Sequence, residues 1–211
     1  MSRDLQWRIF WGDLSPFALL SGGALLVIAS DRVAHALLAL AALAWVYCLS
    51  ALAVFGGAGL FPARGRRVLF AFIASSAAGL YLLLLSLVFP LAALQVFFAV
   101  ALAPALCAGS GICRRIEGMG LPRALRASLA EALVAGSLIV ILSLIREPLG
   151  FRSLSLPGGA RGVMLFYPFG AESPFFLRLL SGSPGALLLL GYALGAHRLA
   201  KARHAEREGG E

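Results

Sequence analysis

Pro104-Ala105-Leu106-Cys107-Ala108-Gly109-Ser110-Gly111 interrupts, with glycine and a lone thiol, what is otherwise an unbroken apolar run. In lipid, backbone that leaves the helix is tolerated only where protein covers it or water reaches it. The stretch therefore reads as a site buried between subunits, and everything around it is read for a membrane. The chain supports that setting. Its 211 residues are 60% hydrophobic and 13% charged, with a mean hydropathy of +0.90, whereas soluble domains hold about 45–50% apolar and about 25% charged residues.

Six apolar segments are expected, near residues 16–30, 33–55, 68–89, 90–112, 127–145 and 184–199. Together they form one all-α membrane domain over residues 1–211, with halves at about 15–90 and 91–200 and a basic tail at 200–211. The first segment is short and carries Ser21-Gly22-Gly23, so a half-helix or broken helix is expected there. The fourth is expected to break at Pro104 and at Gly109/Gly111, and Pro148 to end the fifth. Spans one and four are both glycine-interrupted, and each is followed by two plainer ones. That echo suggests a three-plus-three inverted repeat with a site at the repeat interface.

The net charge of +8 would suit nucleic acid, but the basic residues sit in loops between apolar runs. In a six-span topology, thirteen of the 18 Lys and Arg fall on one side, among them Arg64, Arg66, Arg67, Arg114, Arg115, Arg123 and Arg126. Cationic loops resist translocation, which predicts cytoplasmic termini and a multi-pass protein of the inner membrane. The start of the chain lacks the pattern of a removable signal peptide. Residues 146–178 make the longest stretch between spans, and Met164-Leu165-Phe166-Tyr167-Pro168-Phe169 within it reads as a patch for the outer leaflet, a partner or the protein's own bundle.

Few residues carry chemistry. Cys48, Cys107 and Cys113 are odd in number and lie in or beside spans, which argues against a disulfide framework. Cys113 adjoins Arg114 and Arg115, where positive charge favours thiolate. Glu131 is the acidic residue expected inside a span, a proton or cation candidate unless it reaches the interface near Arg126. Arg146-Glu147 reads as a structural anchor at the end of the fifth span, and His35, His197 and His204 as isolated. No zinc spacing, phosphate loop, dinucleotide fingerprint or nucleophile elbow is present.

Three motifs bring a family into view. Cys107-Ala108-Gly109-Ser110-Gly111, Arg146-Glu147-Pro148-Leu149-Gly150 and Pro184-Gly185-Ala186 resemble those of the homologous membrane subunits of Rnf and Nqr complexes, with the RnfE/NqrD type the nearest in pattern. The resemblance implies a subunit that is not catalytic on its own, within a redox-driven ion translocase of the ferredoxin:NAD or NADH:quinone type. It implies an RnfA/NqrE-like homologue as partner and a [2Fe-2S] cluster shared between the two, held by cysteines of the first and fourth half-helices. Cys107 is then the expected ligand, Gly23 and Gly111 the backbone beside the cluster, and Cys113 a substitute ligand. The chain departs from the family at two positions: Leu106 stands where the family has Asn, and Gly23 where it has the first cysteine. Either a partner supplies the missing thiolate or the fold persists without the cluster. A six-span vitamin-type transporter component is the alternative class, and it requires a polar ligand cavity.

Overall fold

The computed structural model describes residues 16–57, 63–116, 118–158, 162–166, 179–192 and 195. Its elements are α1 (Pro16–Ala29), α2 (Val33–Gly57), α3 (Ala63–Val88), α4 (Pro90–Gly109), α5 (Ile112–Ile116), α6 (Leu121–Phe151), β1 (Leu154–Pro157), β2 (Val163–Phe166) and α7 (Ser183–Tyr192). Four of them, α2, α3, α4 and α6, are long and apolar enough to cross a membrane. The chain is a mostly helical, multi-pass membrane protein. Helix α1 has 14 residues, about 21 Å at the standard rise, short of the ~30 Å hydrocarbon core.

Side-chain size decides how these helices meet. The buried stripe of α6 is Ala124, Ser128, Ala132, Gly136, Ile139, Ser143, Arg146, Glu147 and Gly150, a repeat of three and four that keeps one face inward. Small residues on that face let helix backbones approach closely, as is usual where lipid gives no hydrophobic drive to association. Gly136 shows it best: a Cβ there would lie 2.1 Å from Leu40 Cδ1 on α2. Helix α2 is the central element, burying Ala36, Ala39, Ala42, Leu43, Val46, Tyr47 and Ala51. It packs against α6, α4 and α3, while α1 packs on α4. The opposite pattern holds outside, where Leu83, Leu87, Leu94 and Phe98 are exposed.

Helices α3 and α4 join at one residue. Phe89 N–H donates to Leu85 O at 2.7 Å and Ala93 N–H to Phe89 O at 2.9 Å. Pro90 then opens α4, at a position where its missing N–H is not needed.

Arg146 and Glu147 lock the far end of α6 to its neighbours. The Arg146 guanidinium is buried and donates from Nε to Leu180 O (2.8 Å), from Nη1 to Val27 O (3.1 Å) and Ser30 Oγ (3.0 Å), and from Nη2 to Ser181 O (2.8 Å) and Gly182 O (2.9 Å). Glu147 Oε2 accepts from Val33 N–H at 2.7 Å and from Ser155 Oγ at 2.9 Å. Consecutive residues on a helix point about 100° apart, so the two charges serve different partners. The cation meets the carbonyl end of α1 and the anion meets the amide end of α2, each complementing the helix dipole it faces. The anchor expected at this dipeptide is therefore what the structure contains.

Several expectations are corrected. Pro104 lies inside a continuous α4, and the helix ends only at Gly109. Gly22 and Gly23 remain helical within α1. Pro148 does not end α6, which runs to Phe151 and closes on Arg152 in the left-handed region (φ 52°). Neighbouring helices can hold a proline- or glycine-bearing segment helical in a membrane bundle. The long segment after α6 is not wholly irregular: β1 and β2 form an antiparallel hairpin, Leu154 opposite Phe166 and Leu156 opposite Met164. The expected sixth span is described as far as Tyr192 in α7. Apart from residue 195, the rest of that span and the basic tail lie outside the described residues.

Candidate functional site

Cys107 sits on the last turn of α4, with no exposed surface. Helix α4 stops two residues later because Ser110 and Gly111 turn the chain. Ser110 N–H still donates to Leu106 O at 2.9 Å, while its hydroxyl donates to Cys107 O at 2.9 Å. Gly111 then takes φ +72° with open space around its Cβ position, a conformation that glycine adopts without steric cost. Arg115 N–H returns to Gly111 O, starting the short α5.

Three elements bring polar side chains to this turn. From α2, the Tyr47 hydroxyl lies beside the Ser110 side chain, and the Ser50 hydroxyl lies beside the Cys107 thiol. Ser50 Oγ is fully buried and, among the described residues, has no hydrogen-bond partner. From α5, Arg115 Nη2 donates to Ser110 O at 3.4 Å and forms an ion pair with Glu131 Oε2 on α6. The Glu131 side chain is 11% exposed and that of Arg115 33%. Glu131 is thus a partnered anion that ties α5 to α6. Cys113 is also buried on α5, near Cys107.

The two glycine-bearing segments meet here. A Cβ at Gly22 would lie 3.3 Å from Leu106 Cδ1, whereas nothing lies within 4 Å of one at Gly23. Gly22 therefore packs on the residue before Cys107, and Gly23 faces away from it. Cys48, Cys107 and Cys113 form no disulfide, and Cys48 is half-buried on α2. Among the described residues, no three His, Cys, Asp or Glu side chains gather as a metal-binding group.

The donor set can be tested against the cluster that the resemblance implies. A cluster shared by two chains needs thiolates at the surface where the chains meet, since iron–sulfur clusters are held by such ligands. Cys107 is sealed inside its own chain, and Gly23, which has open space beside it, has no donor atom. These residues do not fit a cluster shared with a second subunit.

A second polar group lies at the other end of the bundle. His35 Nδ1 pairs with Asp31 Oδ1 at 2.8 Å, and Nε2 lies 3.1 Å from Gln95 Oε1 on α4. These three residues, with Arg32, Val163 and Leu165, line a cleft of about 410 Å3. The i,i+4 spacing of Asp31 and His35 was a readable signal; Gln95, sixty residues away, was not. His197 and His204 lie outside the described residues.

Neither models of protein families nor curated proteins match the chain.

Proposed function

We propose that the chain is a membrane subunit of an Rnf/Nqr-like ion-translocating electron-transport complex, paired with an RnfA/NqrE-like homologue. It keeps the frame of the cluster-holding subunit without holding the cluster. The reading of the family rests on the three motifs quoted above. The observation that carries it is the meeting of Gly22 on α1 with Leu106 beside Cys107, because the resemblance implies that the first and fourth segments build one site. The sealed thiol and the bare Gly23 favour a scaffold role over cluster ligation. On this reading the termini face the cytoplasm, and the Arg115–Glu131 pair holds the turn on that side. Glu131 carries no free charge for an ion to follow while Arg115 is bound.

The test is the complex purified through this subunit from its native membrane, wild type against Cys107→Ala. Co-purification of a homologous membrane subunit with flavin or iron–sulfur subunits is expected, with the same iron content and the same electron paramagnetic resonance spectrum in both. Loss of a [2Fe-2S] signal in an assembled Cys107→Ala complex would replace the scaffold role with cluster ligation. A chain that purifies alone with a small molecule bound would favour the transporter class, for which the 410 Å3 cleft beside His35 is a candidate cavity.

A further inference from the structure

The β-hairpin has two unlike faces. In its register, Leu154, Leu156, Met164 and Phe166 share one face, while Ser155, Val163 and Leu165 share the other, because side chains alternate along a strand. The second face is turned to the bundle. Ser155 Oγ accepts from Ala34 N–H at 3.1 Å on the first turn of α2, and Val163 and Leu165 roof the cleft beside His35. The first face is wholly apolar, with Leu154 half-buried and Leu156 40%, Met164 49% and Phe166 49% exposed.

The depth of the hairpin says what covers that face. Gly162 approaches the first turn of α4 so closely that a Cβ would lie 3.1 Å from Ala92 Cβ and N. On that same turn Leu91 and Leu94 are exposed, as are Leu87 and Val88 at the adjoining end of α3. One helical turn is 5.4 Å, so the hairpin stands level with the last apolar, outward-facing residues of spanning helices. Arg32 lies over the Phe151 ring, 5.6 Å from its centroid, and so brings a cation to this level. Apolar side chains and a cation at one height mark the interfacial layer, which extends several ångströms beyond the hydrocarbon. The outer edges of a two-stranded ladder also need water or headgroups, which that layer supplies and the hydrocarbon does not.

We propose that the Leu156–Met164–Phe166 face is a membrane anchor, seated in the headgroup and upper acyl region of the adjacent leaflet. The hairpin is then held on both sides, by Ser155 and Gly162 on the bundle and by lipid on the apolar face. This proposal stands apart from the assignment to a redox complex. It needs only a chain that crosses the membrane.

The test places the photoreactive amino acid p-benzoylphenylalanine at position 166 of the full chain in its native membrane. Irradiation should yield adducts to lipid acyl chains, read by mass spectrometry. A protein adduct would overturn the proposal and make the face a subunit contact, and no adduct at all would overturn it as a water-facing surface. A second measurement uses Met164→Trp in phosphatidylcholine vesicles, corrected against the unsubstituted chain. Bromines near the headgroup should quench the added tryptophan roughly twofold more than bromines at the bilayer centre, as befits an interfacial seat. Equal and negligible quenching by both would refute it.

Discussion

Replacing Arg146 with methionine should be among the most damaging single changes in this protein. The guanidinium makes five hydrogen bonds, four of them to backbone carbonyls at Val27, Leu180, Ser181 and Gly182. Methionine fills much of the volume and gives none. A net hydrogen bond to a charged donor contributes about 1.5–3 kcal/mol, but removing the cation also removes its own desolvation cost, and water reaches some carbonyls at a bundle end. The loss expected is about 4 kcal/mol, well below the sum of five bonds. For a chain of this size that is about 8–16 °C in the thermal midpoint. Arg146→Lys keeps the charge but replaces a planar five-donor fork with three donors on one atom. It should fall between the two, near 2 kcal/mol as a rough figure. The assay is thermal unfolding of the purified protein in detergent, followed by tryptophan fluorescence. A drop below about 3 °C for Arg146→Met, or a lysine variant less stable than the methionine one, would refute the clamp.

Gly136→Ala should cost about 1–3 kcal/mol because its methyl group meets Leu40, and Leu40→Ala in the same chain should restore part of the loss. Melting curves of the three variants decide it. Ser155→Ala removes the acceptor of Ala34 N–H and a donor to Glu147, and should lower stability by about 1–2 kcal/mol in the same assay. Ser50→Ala removes a buried hydroxyl that has no hydrogen-bond partner among the described residues, so it should leave the midpoint unchanged or raise it. A double-mutant cycle of Glu131→Gln and Arg115→Gln should give a coupling of about 1 kcal/mol, modest because the arginine is a third exposed. Additive effects would mean that the pair does not hold α5.

Much of the helical frame was legible because membrane spans are written in hydropathy alone. Helices α2, α3 and α4 begin and end within a few residues of the apolar runs that announce them. The breaks were less legible. Pro104, Pro148 and the Gly22-Gly23 pair look like interruptions in the one-dimensional sequence. A proline or glycine ends a helix only if its neighbours fail to hold the backbone, which no local pattern records. The turn at Ser110-Gly111 was readable, since glycine tolerates the positive φ it needs. The hairpin was hidden because four-residue strands carry too little alternation to stand out in an apolar loop. The role of Arg146-Glu147 could be read as an anchor, but its partners at Val27, Ser30 and Val33 lie more than 110 residues away.

The two ends of the bundle differ in how fully their polar groups are satisfied, and the difference bears on where function resides. At the hairpin end, Arg146 uses five donor contacts and Glu147 caps a helix while accepting from two serines. Four buried side-chain polar atoms lack a partner among the described residues. Trp45 Nε1, Ser50 Oγ and Ser128 Oγ belong to the parts of α2 and α6 nearest the Cys107 turn, and only Ser143 Oγ lies towards the hairpin end. Orphaned polar atoms are rare in folded proteins because each costs about 1–3 kcal/mol. A fold that is strict at one end and lax at the other has its stabilising frame at the first, and local rules are most often broken where a protein works. The Arg146–Glu147 clamp is then the fixed frame, and the turn around Cys107, Ser50, Tyr47 and Glu131 is where substitutions should change what the protein does without unfolding it.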